Sequence, residues 1–237
     1  MPCLAELHSH SSVSDGRPNP EEVVIAAASL GLGAIAVSDH NTFRGSAIAM
    51  RAARRMELGV YVIPANEVRT SRGDVIVLCP SLPEDDPQPG LDPAELRDWS
   101  RERACVIVAA HPFHPGRHGL GLYLLRNYGL FDAIEAWNAR GLPLFNLLAE
   151  RFASSRGMPM TSGSDAHVLS EVGEAPTKMA VDDCRPETVV EAIVKGLCRP
   201  TRGLMRPHAV LEALRWSAER RLRRLTTGLH GALFEAS

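Results

Sequence analysis

The chain has 237 residues, 45% of them hydrophobic and 5% aromatic, with a formal net charge of −2. That length suits one large domain with a small appendage and supplies enough apolar side chain for a core. The near-neutral balance excludes a global attraction to nucleic acid or a membrane surface, and no uninterrupted apolar run is long enough to span a bilayer.

The first apolar run, "CLAELHSH", reads as a strand. Side chains alternate along an extended backbone, so His8 and His10 fall on one face. Two neutral imidazoles so placed can hold a divalent ion such as Zn²⁺; a polar strand end with two exposed histidines is the bland alternative. Asp15 in "SDG" reads on its own as a turn residue ahead of Gly16. A helix, "NPEEVVIAAASLG", follows with Pro20 suited to its first turn, then the strand "GAIAVSDH" and the helix "RGSAIAMRAARRMELG".

The strands "VYVIPANEV" and "DVIVLCP" come next, and "PSLPEDDPQPGLDP" (Pro80 to Pro93) is a proline-rich surface loop. The helix "LDPAELRDWSRERA" leads to the strands "CVIVAAHP" and "FDAIEAWN". The helix "LPLFNLLAERFASSRG", the strand "MPMTSGSDAH" and the helix "RPETVVEAIVKG" complete the alternation. This order predicts an α/β fold, a parallel sheet or barrel with helices outside. No charged-then-apolar leader opens the chain, and Cys3, Cys79, Cys105, Cys184 and Cys198 include no C-x-x-C pair. They read as ordinary reduced cysteines of a cytoplasmic protein.

His8, His10, His40, Glu67, His111, Glu135, Asp165 and His167 all stand at the C-terminal ends of predicted strands. In parallel α/β folds, and above all in barrels, active sites are built on that rim. "GDVIVLCP" is the one strand that ends without such a residue.

In order along the chain, "LHSHSSVSDG", "VSDHNT", "IPANEV", "AAHPFHPG", "IEAWNAR" and "GSDAH" resemble the motifs of the PHP (polymerase and histidinol phosphatase) superfamily of metal-dependent phosphoesterases. The resemblance runs from about Leu4 to Gly203 and is strongest to the small stand-alone members, which include nucleotide phosphatases and exonucleases that trim RNA from the five-prime end. It implies a distorted (β/α)7 barrel over 1–203, with 204–237 as an Arg-rich C-terminal helical extension. It also implies two or three divalent ions (Zn, Mn, Mg or Fe). His8, His10, Glu67 and Asp165 would surround the first. Glu67 would bridge to a second held also by His111, while Asp15, His40 and His167 would hold the third.

A carboxylate can bridge two ions, whereas an imidazole binds one per nitrogen. Clustered ions make water acidic near neutral pH and stabilise charge on phosphoester oxygens. The expected activity is therefore metal-dependent hydrolysis of a phosphomonoester, nucleotide or short RNA, with Glu67 and His111 as catalytic residues. His114, Arg117, Asn138 and Arg140 are expected to bind substrate, a phosphorylated small molecule or nucleotide, with short RNA or DNA as the alternative. Arg suits bidentate phosphate binding, although a loop Arg is as readily a solvated one. Asp39 precedes His40 and should point away from it, in a structural or orienting role. Glu135 is a rim residue that can bond the backbone or His111 instead of an ion.

The Arg-rich end, with Arg199, Arg202, Arg206, Arg215, Arg220, Arg221, Arg223 and Arg224 against Glu212, Glu219 and Glu235, reads as the solvated face of a terminal helix, with contact to a nucleic-acid backbone or a partner subunit as the alternatives. The tail after Gly203 is expected to be dispensable for a small substrate because the motifs end before it. Two rivals stand beside the phosphoesterase. An amidohydrolase-like hydrolase also opens with H-x-H, but usually needs a mid-barrel lysine, and Lys178 and Lys195 lie elsewhere. The other is a catalytically silent metal-binding or scaffold protein on an inherited barrel, which the complete ligand set disfavours and which failure to hydrolyse a broad phosphoester panel with metals loaded would favour.

Overall fold

The computed structural model describes residues 3–234, and side chains from 3 to 222; Met1, Pro2 and residues 235–237 lie outside it, as do the side chains of Arg223 and Arg224. In chain order the elements are β1 (Cys3–Glu6), α1 (Pro20–Ser29), β2 (Ala34–Val37), α2 (Arg44–Arg55), β3 (Tyr61–Arg69), β4 (Asp74–Leu78), α3 (Pro93–Glu102), β5 (Val106–Ala109), α4 (Leu122–Asn127), β6 (Ala133–Asn138), α5 (Pro143–Arg156) and β7 (Met160–Gly163). After these come β8 (Thr177–Met179), α6 (Pro186–Val194), β9 (Cys198–Arg199) and α7 (Pro207–Phe234). Asn19 and Glu22 form a capping box that starts α1, and Asp92 and Glu95 form another at α3.

The strands lie in the order β7-β6-β5-β4-β3-β2-β1-β8-β9. All seven strands read from the sequence are present as β1 to β7. The sheet curls until its ends approach: Thr177 Oγ1 donates to the Ser162 carbonyl at 2.8 Å and accepts from Ser162 N–H at 2.8 Å. Beyond the strand ends, Asp165 N–H donates to the His8 carbonyl and His10 N–H to the Ala166 carbonyl, each at 2.8 Å. The result is a nearly closed, barrel-like sheet.

The strands are not all parallel. β4 runs antiparallel to both β3 and β5, because Thr70 to Gly73 turn the chain straight back with no intervening helix. This inversion explains the one strand without a rim ligand: its C-terminal Leu78 points to the opposite end, and its first residue, Asp74, stands at the rim instead. β8 and β9 add two short antiparallel strands that the sequence reading did not contain.

Residue alternation sorts the core. Ala5, Ala36, Ala65, Ile76, Leu78 and Val108 meet in one cluster with Val189, Val190 and Ile193 of α6, which only the concave face of a curled sheet allows. Their sequence neighbours take the other face: Ile35, Val37 and Val62 pack with α1 and α2, and Val75, Val77, Ile107 and Ile134 with α3, α4 and α5. This is the period-2 pattern of strands buried on both sides.

Contrary to the expectation from sequence, the cysteines are not all reduced. Cys3 is bonded to Cys184 and Cys79 to Cys105, and Cys198 alone is free. The two bridges join residues far apart in sequence, which no spacing motif announces. No helix among the described residues is long and apolar enough to cross a membrane.

Candidate metal centre

β1 delivers His8 and His10 to the mouth of the barrel, while Ser9 between them faces β2, donating from Oγ to the Ala36 carbonyl at 2.7 Å. Asp39, fully buried, accepts from Ser11 N–H (2.8 Å), Ser11 Oγ (2.6 Å) and Ser14 Oγ (2.5 Å). It thereby ties down the loop that carries Asp15, the structural role expected of it. Gly16 must be glycine, since a Cβ there would lie 2.5 Å from the His10 carbonyl oxygen. Gly163 is likewise required, because its Cβ would lie 2.4 Å from the Cβ of His8. His111 and Asp165 hold left-handed backbone conformations, φ 27° and 54°, as residues at functional sites often do.

All eight expected ligands converge. Glu67 is central: its Oε1 lies 3.0 Å from His111 Nε2 and 3.5 Å from His8 Nε2, and its Oε2 lies 3.1 Å from His40 Nδ1 and 3.2 Å from His10 Nε2. Asp165 Oδ1 lies 3.5 Å from His10 Nε2 and 3.8 Å from His8 Nε2. Asp15 Oδ1 lies 3.2 Å from His167 Nε2, 3.8 Å from His10 Nδ1 and 3.9 Å from His40 Nε2. Four overlapping groups result: His8–His10–Asp165, His8–Glu67–His111, His10–His40–Glu67 and His10–Asp15–His167. His10 takes part in three of them, so the grouping is more interlaced than one ion per motif.

These spacings fit divalent ions. Ligand atoms each about 2.1 Å from one ion lie roughly 3.0–3.4 Å from one another. The Nδ1 of His10 and Oδ1 of Asp15 are buried with no hydrogen-bond partner, which is costly unless a cation takes the lone pairs. Charge agrees. Burial alone would push the His8 and His10 imidazoles down, but Glu135, Glu67 and Asp165 around His8, and Asp165 and Glu67 beside His10, outweigh it, holding His8 well above its ordinary value and His10 at about 10. Burial would raise the carboxyls of Glu67 and Asp165, yet the surrounding histidines, joined at Asp165 by Arg117, hold both well below the usual range. Protons and divalent ions compete for these sites.

Around this cluster sits a supporting layer. Glu135 is not among the four groups; its Oε1 lies 2.8 Å from His8 Nδ1, and its Oε2 accepts from His111 N–H at 2.7 Å and Asn138 Nδ2 at 3.1 Å. Asn138 is fully buried and also binds Arg117 and Asp165, so it positions residues instead of facing solvent. Arg117 Nη1 donates to Asp165 Oδ2 at 2.6 Å, and Arg140 to Glu171 Oε2 at 3.3 Å. Arg117 and Arg140 line a cavity of about 220 Å³ over the cluster, together with His118, Arg69 and Asp74. His114 lies outside that lining: its Nε2 accepts from Leu142 N–H at 3.2 Å and its ring meets Phe145 edge-on.

Sequence reasoning missed Glu6, Glu171 and Arg220. Glu6 is fully buried and accepts from the N–H groups of His8, Ser164 and Gly173. Its one signal is an acid inside a hydrophobic strand. Arg220 reaches the cavity from α7, where nothing in the local sequence sets it apart from its arginine neighbours.

A curled α/β sheet with a rim of histidines and carboxylates defines a metal-site hydrolase scaffold. The PHP domain model matches residues 6–108, and the PHP-associated model matches residues 143–198. An uncharacterised Methanocaldococcus jannaschii protein, MJ1587, is 31% identical over 147 residues, covering 57% of this chain and 81% of that one. The 5'-3' exoribonuclease Rnm of Escherichia coli is 37% identical over 67 residues, 28% of this chain and 23% of Rnm. Among solved structures, a two-domain protein from Bacteroides vulgatus, described as containing a predicted PHP-like metal-dependent phosphoesterase, superposes with TM-score 0.70 at 18% identity, over 86% of this chain and 65% of that one. The chain belongs to the PHP family, and its fold is that of the PHP-like metal-dependent phosphoesterases.

Proposed function

We propose that this protein is a hydrolase of phosphate esters that uses two or three divalent ions, with a phosphomonoester or nucleotide as substrate. The observation that carries the reading is Glu67, whose two oxygens face two different pairs of histidines inside one buried cluster. An anionic carboxylate so placed is suited to bridging two cations, since it offsets their mutual repulsion. When bound there, divalent ions would make water acidic and stabilise charge on the phosphoester oxygens.

The chain's own residues supply the rest. His8, His10, Asp15, His40, Glu67, His111, Asp165 and His167 would hold the ions. Arg117 and Arg140, at the cavity wall, would orient the phosphoryl group through their planar donor forks. Asn138 would keep Arg117 and Asp165 in register. The cavity of about 220 Å³ is roughly seven waters in volume, enough for a phosphoryl group and part of its ester. An RNA end is the second reading, supported by the limited similarity to Rnm.

The test is a panel of nucleotides, sugar phosphates, histidinol phosphate and short RNA, assayed with Mn²⁺, Zn²⁺ or Mg²⁺. Release of inorganic phosphate or of mononucleotides identifies the class. A metal-loaded, folded protein inactive on every member would leave the silent-scaffold reading instead.

A further inference from the structure

The family motifs end before α7, yet α7 is built into the site. Ala209, Glu212, Ala213, Trp216 and Arg220 recur at helical spacing and form one docked stripe. Ala209 and Ala213 are buried; Glu212 accepts from Ser170 Oγ at 2.7 Å; Trp216 Nε1 donates to the Asp15 carbonyl at 2.9 Å. One turn further on, Arg220 Nη1 donates both to that carbonyl at 3.1 Å and to Asp15 Oδ2.

The pairing has a counterpart across the cavity. Asp165 turns Oδ1 to the histidines and Oδ2 to Arg117; Asp15 turns Oδ1 to the histidines and Oδ2 to Arg220. Two aspartates on opposite sides of one site thus each present an inner oxygen to the cluster and an outer oxygen to an arginine. Arg220 uses only Nη1 for these bonds, so Nε and Nη2 have no hydrogen-bond partner among the described residues, and the side chain lines the cavity.

With cations at the inner oxygens, the two guanidinium groups would add their positive charge to that of the ions at one cavity. A multi-oxygen anion there offsets that charge, and the guanidinium fork matches phosphate oxygens. We propose that Arg220 is a substrate-binding residue that holds a phosphoryl oxygen over the Asp15 side of the site, making α7 one of its walls. This rests on the phosphoesterase reading and runs counter to the expectation that the tail is dispensable.

The experiment uses the full chain loaded with Mn²⁺ and calorimetric titration with inorganic phosphate, comparing wild type, Arg220→Gln and Arg220→Lys. Metal content and melting temperature are measured alongside. The expected result is at least tenfold weaker phosphate binding in Arg220→Gln, partly restored in Arg220→Lys, with metal content and melting temperature unchanged. Unchanged phosphate affinity in Arg220→Gln overturns the proposal, as does a loss of metal with normal phosphate affinity at the loaded sites. A wild type that binds no phosphate also overturns it. The readout does not depend on turnover. If phosphate binding needs Arg220 but no ester is hydrolysed, the phosphoesterase reading falls and the anion site stands.

Discussion

The Nδ1 atom of His8 lies 2.8 Å from Oε1 of Glu135, and this contact decides which nitrogen of His8 faces the cluster. With Nδ1–H donated to the carboxylate, the Nε2 lone pair points toward Glu67 and Asp165, where an ion can take it.

Glu135→Gln tests this directly. The other carboxylate oxygen accepts from His111 N–H and Asn138 Nδ2, so the amide oxygen must stay there and the NH2 must face His8. The imidazole proton is then driven to Nε2, where it blocks ligation. The expected outcome is metal affinity lower by about 10–100-fold with the fold retained. Calorimetric metal titration with circular dichroism measures both, and wild-type affinity would remove the orienting role.

Glu67→Gln keeps the side chain's shape and removes the charge that offsets two neighbouring cations. Loss of at least one bound ion and a fall in phosphoesterase turnover are expected, without unfolding. Arg69 is a poor control because it bonds Asp74 at the cavity wall. Arg55, paired with Glu21 on the surface, serves instead, and Arg55→Gln should change neither quantity. Full metal content and normal turnover in Glu67→Gln would end the bridging assignment.

Glu6 gives a pH prediction. Burial pushes its carboxyl up to about 7 despite three backbone N–H donors. A folded-state value above the unfolded one means stability that is full below about 4.5 and is lost as pH rises through about 7. Glu6→Gln does not titrate, and its NH2 opposes a backbone N–H, so at pH 5 it should be about 1–3 kcal/mol less stable than wild type. That deficit should narrow at pH 8, because wild type alone has lost stability. Urea denaturation of the metal-free proteins at both pH values checks it; a constant deficit would contradict the assignment.

The cysteine pairing predicts one titratable thiol, Cys198, in the unreduced, denatured protein. Reduction should lower stability. On the chain-entropy account, closing the 26-residue separation of Cys79–Cys105 contributes about 3–4 kcal/mol and the 181-residue separation of Cys3–Cys184 about 5. Alkylation followed by mass measurement counts the thiols, and five modified cysteines without reductant would contradict the pairing.

Strands β1 to β7, six of the seven helices and the residues at the strand ends were legible because each is written locally, whereas Asp15, in a turn, came only with the family resemblance. Alternating apolar residues specify strands, Asn19-Pro20 and Asp92-Pro93 start helices, and a strand end places its last side chains at the rim whatever its neighbours do. The short α4 and the two small strands β8 and β9 carry too few residues for a periodic signal. The reversal of β4 turned on the tight turn at Thr70 to Gly73, which a reading based on alternating strands and helices passed over.

By itself, then, the sequence determined the strand–helix order, the family and the eight residues that meet at the barrel mouth. Only the tertiary structure decided that Glu135 orients His8 instead of joining the metal groups, that His114 turns away, that four cysteines pair, and that Arg220 comes back to Asp15 across 205 residues. Those are relations between side chains on different elements. Their distances follow from how the sheet curls and where α7 docks, and no local spacing encodes either.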